Sequence, residues 1–81
     1  MPYVRQHARD GLCQGRSPDT AGELNYEITR TIQNYLCRGV PGYADFNEVI
    51  GVLECAKLEL YRRMIAPYED KKCAENGDVY P

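Results

Sequence analysis

The sequence predicts an all-α fold: an antiparallel αα-hairpin with irregular N- and C-terminal segments, which oligomerises. Three observations predict it. "TAGE" at Thr20 and "DFNE" at Asp45 read as helix N-termini, where a short polar side chain and a glutamate cap each other's backbone N–H groups. Behind each, apolar residues recur at helical spacing. The second helix, within "NEVIGVLECAKLELYRRMIAPYED" (Asn47 to Asp70), also carries apolar residues on more than one side.

Residues 1–19 form an irregular arm. Pro2, Asp10-Gly11, Gly15 and Pro18 punctuate it, and it accommodates a short helical turn over Arg5–Asp10. The first helix occupies residues 20–38. Its apolar face is Leu24, Ile28, Ile32, Tyr35 and Leu36, and Gly39, Pro41 and Gly42 stop it. The second helix occupies residues 45–66, about 31 Å for the run from Phe46 at about 1.5 Å per residue, and Pro67 ends it. Residues 67–81 are a charged tail with a turn at Asn76-Gly77. A short β-bridge between Tyr3-Val4 and Val79-Tyr80 is an alternative for the two ends. The short connection between the helices makes them antiparallel neighbours within one small domain, 1–81.

On a helical wheel, Phe46, Val49, Ile50, Leu53, Ala56, Leu60 and Met64 share the face that packs on the first helix. A second stripe runs through Gly51, Leu58 and Ile65, flanked by Cys55 and Tyr61. Seven-residue spacing is the seam of a left-handed helix crossing. A glycine in a helix interior costs about 1 kcal/mol relative to alanine, and close approach of another backbone is the reason that fits. The expectation is a homo-oligomer, a two-fold dimer in the simplest case, with Gly51, Leu58 and Ile65 at the interface. The competing expectation is that a terminal segment folds over this stripe.

Composition narrows the function. A chain of 81 residues buries only roughly 60–65% of the surface its unfolded form exposes, so a partner chain, a disulfide or a metal is the usual staple. The four cysteines (Cys13, Cys37, Cys55, Cys73) are widely spaced, and the lone His7 sits apart from most of them. Zinc sites bring ligands in close pairs, so no metal and no cofactor is expected. Without an apolar leader in "MPYVRQHARD", the cysteines read as free thiols that pack as small apolar residues. Net charge is −2, from twelve acids and ten bases, with no basic run beyond two residues. Duplex nucleic acid is therefore disfavoured, and no run is long enough to span a membrane.

No catalytic residues are expected. His7 has no indicated cysteine partner, and "CRGVPGY" lacks the lysine and spacing of a phosphate loop. The polar features that remain pair aromatic and cationic side chains: Tyr26 with Arg30 on the outer side of the first helix, and Tyr61, Arg62, Arg63 and Tyr68 at the end of the second. That combination suits stacking on a base and forking onto a phosphate, a protein-interface hot spot, or arginines that merely offset a helix dipole. Lys57 interrupts the apolar face. Either its stem packs and its ammonium pairs with a carboxylate, or it is presented to an anion, with Asn25 of the first helix facing it.

"GELNYEITRTIQNYL", the opening "MPYV" and "YADFNEVIGVLECAKLELYRRMIAPYEDKKCAENGDVY" resemble a family of short, uncharacterised proteins from tailed bacteriophages and prophages. The likeness covers roughly residues 1–9 and 22–80, and "DGLCQGRSPDTA" departs from it. The resemblance implies a viral or prophage origin, the cytoplasm of an infected or lysogenic bacterium, and no assigned catalytic or ligand residue. Two functions follow as expectations. One is a small non-enzymatic accessory protein that oligomerises and binds a host or phage protein. The other, by analogy with other small helical phage proteins, is a counter-defence protein that sequesters a nucleotide-type immune signal.

Overall fold

The computed structural model describes residues 4–80. Every regular element among them is helical: α1 (Gln6–Cys13), α2 (Ala21–Leu36), α3 (Tyr43–Leu60), a π-helical turn (Tyr61–Ile65) and α4 (Ala66–Asn76). The bridge considered for the two ends involves Tyr3, which lies outside the described residues. The chain divides into two compact units, Met1–Asp45 and Phe46–Pro81.

In the first unit, α1 packs on α2. The arm expected to be irregular thus contains a helix of about two turns, and it supplies Leu12, whose exposure is 1%. No other described residue is fully buried. The helix overlaps the short turn expected over Arg5–Asp10 and continues to Cys13, although "QHARDGLC" offers little apolar surface beyond Ala8 and Leu12. The link to α2 is fixed by charge. The Arg16 guanidinium donates to Asp19 at 3.0 Å and pairs with Glu23 at 2.9 Å.

The N-terminus of α2 forms where its capping residues predict. The Glu23 N–H donates to Thr20 Oγ1 at 3.1 Å, while the Glu23 carboxylate reaches back to the Asp19 N–H, one residue before the cap. The C-terminus falls at Leu36 rather than Arg38. Arg38 instead donates its Nε–H to the Tyr35 carbonyl at 2.8 Å and stacks 3.8 Å above the Tyr35 ring.

The start of α3 corrects the expected cap. The helix begins at Tyr43, and Asp45 lies in its first turn, where its carboxylate accepts from the Gly42 N–H at 2.8 Å. Asp45 therefore takes the role that a glutamate plays in a capping box, reaching back to the residue ahead of the helix.

The second unit departs furthest from expectation. Helical structure does not stop at Pro67. A proline inside an α-helix removes one hydrogen bond and crowds the carbonyl four residues back. Here the chain widens into a π turn before the proline, and the Ala66 N–H bonds to the Tyr61 carbonyl, five residues back. Pro67 then falls in the first turn of α4, where the missing N–H is tolerated. Most of the supposed tail is thus helix, through Asn76. A π turn acts as a one-residue insertion, so side chains beyond it rotate by roughly 100° relative to α3. Gly51 and Leu58 lie in regular α-helix, whereas Ile65 is the last residue of the π turn.

Apolar residues are exposed around α3. On the face expected to pack, Val49 and Leu53 are half-buried, while Phe46, Ile50, Leu60 and Met64 are exposed. Val52 and Leu58, on other sides, are also exposed.

Candidate functional site

Two clusters of polar and aromatic side chains stand out, one in each unit. The first is built where α1 meets α2. Arg9, Leu12 and Cys13 share one side of α1. They meet the side of α2 that carries Glu23, Tyr26, Glu27 and Arg30, opposite its Leu24–Ile28–Tyr35 face. Tyr26 and Arg30 were expected on an outer surface, but α1 covers them and both are half-buried. The Arg30 guanidinium forks onto Glu27 at 2.9 and 3.0 Å. The Tyr26 hydroxyl lies 3.9 Å from the Cys13 thiol, and that contact is the main cause of a phenol held above its ordinary value of 10.0. Within the unit, Tyr26 is thus engaged by Cys13 and Arg30 by the Glu27 carboxylate.

The second cluster surrounds a cavity of about 440 Å³ at the end of the second unit. The residues lining it include Tyr61, Tyr68 and Tyr80 and the charged Glu69, Asp70, Lys72 and Asp78. Three local features assemble it. The π turn sets Tyr61 against α4. The Gly77 backbone, at φ 85° and ψ 154°, occupies a region that is essentially glycine's alone. Gly77 ends α4 there, with its N–H on the Cys73 carbonyl at 2.9 Å, and turns the chain back. Asp78 then accepts the Tyr80 N–H at 2.9 Å, which fixes the returning segment. Residues almost twenty positions apart thereby line one space.

The field in this cavity is negative. Glu69, Asp70 and Asp78 line it, against the single cation of Lys72. That ammonium is shared: it lies 3.4 Å from Glu75 and 5.6 Å from the Tyr68 ring centre. The Glu69 carboxylate, by its charge and then by its hydrogen bond, raises the Tyr61 phenol above its ordinary value of 10.0. Negative charge opposes formation of a phenolate.

The expected aromatic–cationic cluster at the end of the second helix therefore divides. Tyr61 and Tyr68 line the cavity, whereas Arg62 and Arg63 do not. Arg63 pairs with Glu59 at 2.7 Å, and Arg62 is exposed on the π turn. Lys57 is exposed and lies 3.5 Å from Glu54, the carboxylate pairing that was one of its two expected roles. Asn25 is exposed on α2. Glu69, Asp78 and Tyr80 were missed. The Asn76-Gly77 turn was legible, but a returning strand of chain gives no local signal of what it returns to.

All four cysteines are free and exposed, so the expectation that they pack as small apolar residues does not hold. Among the described residues, no group of His, Cys, Asp or Glu is placed to hold a metal ion. No helix there is long and apolar enough to cross a membrane.

Fold and surface define a small all-helical protein with apolar residues exposed on several sides of its longest α-helix and an acidic, tyrosine-lined cavity. The chain belongs to the family described as Domain of unknown function (DUF6899), which matches residues 1–79. That span includes the segment between Arg9 and Gly22. No curated protein and no solved structure matches the chain.

Proposed function

We propose that this chain is a self-associating binding protein: a non-enzymatic accessory protein of bacteriophage or prophage origin that engages a host or phage protein in the bacterial cytoplasm. The observation that carries the self-association is the distribution of apolar surface. Ile50 and Val52 are each 67% exposed, Met64 is 65% and Leu58 and Leu60 are 55%. A helix that is apolar on several sides is stable when neighbours cover those sides. In the proposed assembly, α2 covers one side of α3 as an antiparallel hairpin. A second copy covers the side that carries Gly51 and Leu58, with Ile65 contributing from an adjacent face.

Covering a half-exposed aliphatic side chain contributes about 1–2 kcal/mol. Leu58 on each of two copies gives roughly 2–4 kcal/mol, while Ile50, Leu60 and Met64 belong to the side assigned to α2. Association costs about 4–15 kcal/mol of lost freedom, so it is expected to depend on concentration and on further contacts beside Leu58.

Of the two partner classes, a protein is favoured over a nucleotide-type signal. Glu69, Asp70 and Asp78 repel a phosphate, and the arginines that would receive one either stand outside the cavity or already hold carboxylates. The phage origin rests on the sequence resemblance. Native mass spectrometry of the purified chain tests the reading. It predicts a mass of two or more copies without a bound nucleotide. A single-copy mass, or a mass increment equal to a nucleotide, contradicts it.

A further inference from the structure

The cavity at the end of the second unit has walls that select for one sign of charge. Its aromatic surface comes from Tyr61, Tyr68 and Tyr80, which are 48%, 61% and 80% exposed. Large aromatic rings left this open are ready to be covered from outside. Its formal charges are the carboxylates of Glu69, Asp70 and Asp78 and the Lys72 ammonium. The sum is three negative and one positive, and Glu75 already shares the positive one.

We infer that this cavity is a binding site for an organic cation, a guanidinium or alkylammonium group, stacked on the Tyr61 and Tyr80 rings and neutralised by Glu69 and Asp78. The faces of tyrosine rings attract cations through their quadrupole, and adjacent carboxylates add charge-assisted hydrogen bonds. Lys72 above the Tyr68 ring is an internal instance of the same contact. The Gly77 turn makes the site, because it brings Tyr80 into the same lining as Tyr61. The open rim suits a group on a chain: an arginine or lysine side chain from a basic segment of the partner fits as well as a free small cation.

The inference deepens the proposed function, since it gives the chemistry by which the bound protein is recognised, and it rests on that reading only for the identity of the source. The site lies within one unit of one chain, so binding here does not depend on self-association. Sedimentation reads self-association separately.

The test uses the full chain. It is titrated with arginine amide, with a hexa-arginine peptide and, as the control of opposite charge, with inorganic phosphate. The readout is the ring resonances of Tyr61 and Tyr80. With seven tyrosines and no tryptophan, intrinsic tyrosine fluorescence serves as a second signal. Either cationic probe should shift both rings, and phosphate should shift neither. A response to arginine amide makes a free cation a sufficient ligand, whereas a response to the peptide alone makes the source a basic segment.

Tyr80→Ala removes an exposed ring near the chain end and leaves the helices intact. It should weaken binding roughly two- to fivefold, the worth of an exposed cation–π contact. Glu69→Gln with Asp78→Asn should weaken it by about tenfold and flatten its dependence on salt. The inference is overturned if neither cation shifts the two rings, if phosphate shifts them, or if hexa-arginine binds all variants equally. The last result would place the peptide on general acidic surface instead.

Discussion

Ala66 donates its backbone N–H to the carbonyl of Tyr61, one residue before Pro67. This single bond of π register explains how a proline can stand within a continuous helical stretch. It also sets Tyr61 against α4, where the cavity forms.

The first prediction concerns that continuity. Amide exchange should show protection running from α3 across the π turn into residues 68–74. The slowest exchange is expected in α3 and the fastest at the turn, whose wider hydrogen bonds open more readily. Coil-like exchange throughout residues 68–74 would mean that Pro67 ends the helix after all.

Leu12 carries the packing of α1 on α2. Leu12→Ala should cost about 2–5 kcal/mol, as truncation of a buried leucine usually does. Denaturant melts followed by helical circular dichroism measure it. At dilutions where the chain is a single copy, Leu53→Ala should cost less, because Leu53 is only half-buried. Equal costs would mean that Leu12 is not the anchor of the first unit.

Arg16 and Glu23 give a pH dependence with a definite sign. The hydrogen bond from Arg16, followed by the Asp19 N–H, holds the Glu23 carboxyl below its ordinary value of 4.5. A depressed folded value stabilises the protein above the unfolded value, and that contribution is lost as pH falls through the folded one. Carboxyl resonances should show Glu23 titrating below 4.5, and Arg16→Gln should move it back up. Stability between about pH 5 and pH 3 should then fall less steeply in the variant than in the wild type. Identical acid profiles would remove Arg16 as the cause.

These elements show how far the sequence could be read. The start of α2 was legible because Thr20 and Glu23 act within one turn, and local chemistry writes itself locally. The helical spacing of α2 and α3 was legible for the same reason, but what covers their apolar residues was not: Leu24, Ile28, Ile50 and Met64 stand exposed. Pro67 misled because the signal that lets a helix pass a proline is a change of hydrogen-bond register, and no particular residue encodes it. Of α1, a turn over Arg5–Asp10 was legible, and its continuation to Cys13 was hidden because one leucine carries its burial. The cavity was half-visible: Tyr61 and Tyr68 were singled out, but with the wrong neighbours. Helix spacing places Arg62 and Arg63 beside them in sequence, whereas the Gly77 turn brings Asp78 and Tyr80 there in space. The arginines singled out in the sequence thus stand outside the lining, whose formal charge is negative.

Gly51 separates a property of one chain from a property of an assembly. Among the described residues, a Cβ added there meets nothing within 4 Å, so no contact within its own unit requires glycine. Gly51→Ala should therefore raise helicity at high dilution, by up to about 1 kcal/mol of helix stability. Gly51→Leu should raise the dissociation constant of the assembly at least about tenfold, since overpacking a close seam costs roughly 1–3 kcal/mol. Size-exclusion chromatography over a dilution series checks both. Unchanged elution of Gly51→Leu would take Gly51 out of the interface.

Self-association is tested most directly by sedimentation equilibrium of the wild type and Leu58→Glu at tens of micromolar. A two-fold interface presents the same residue from both sides, so one substitution sets two carboxylates into an apolar seam, where unpaired charge is expensive. The prediction is a wild type at twice the chain mass or more, and a Leu58→Glu variant at the mass of one chain. A wild type that sediments as one chain, or a variant that assembles as the wild type does, contradicts it.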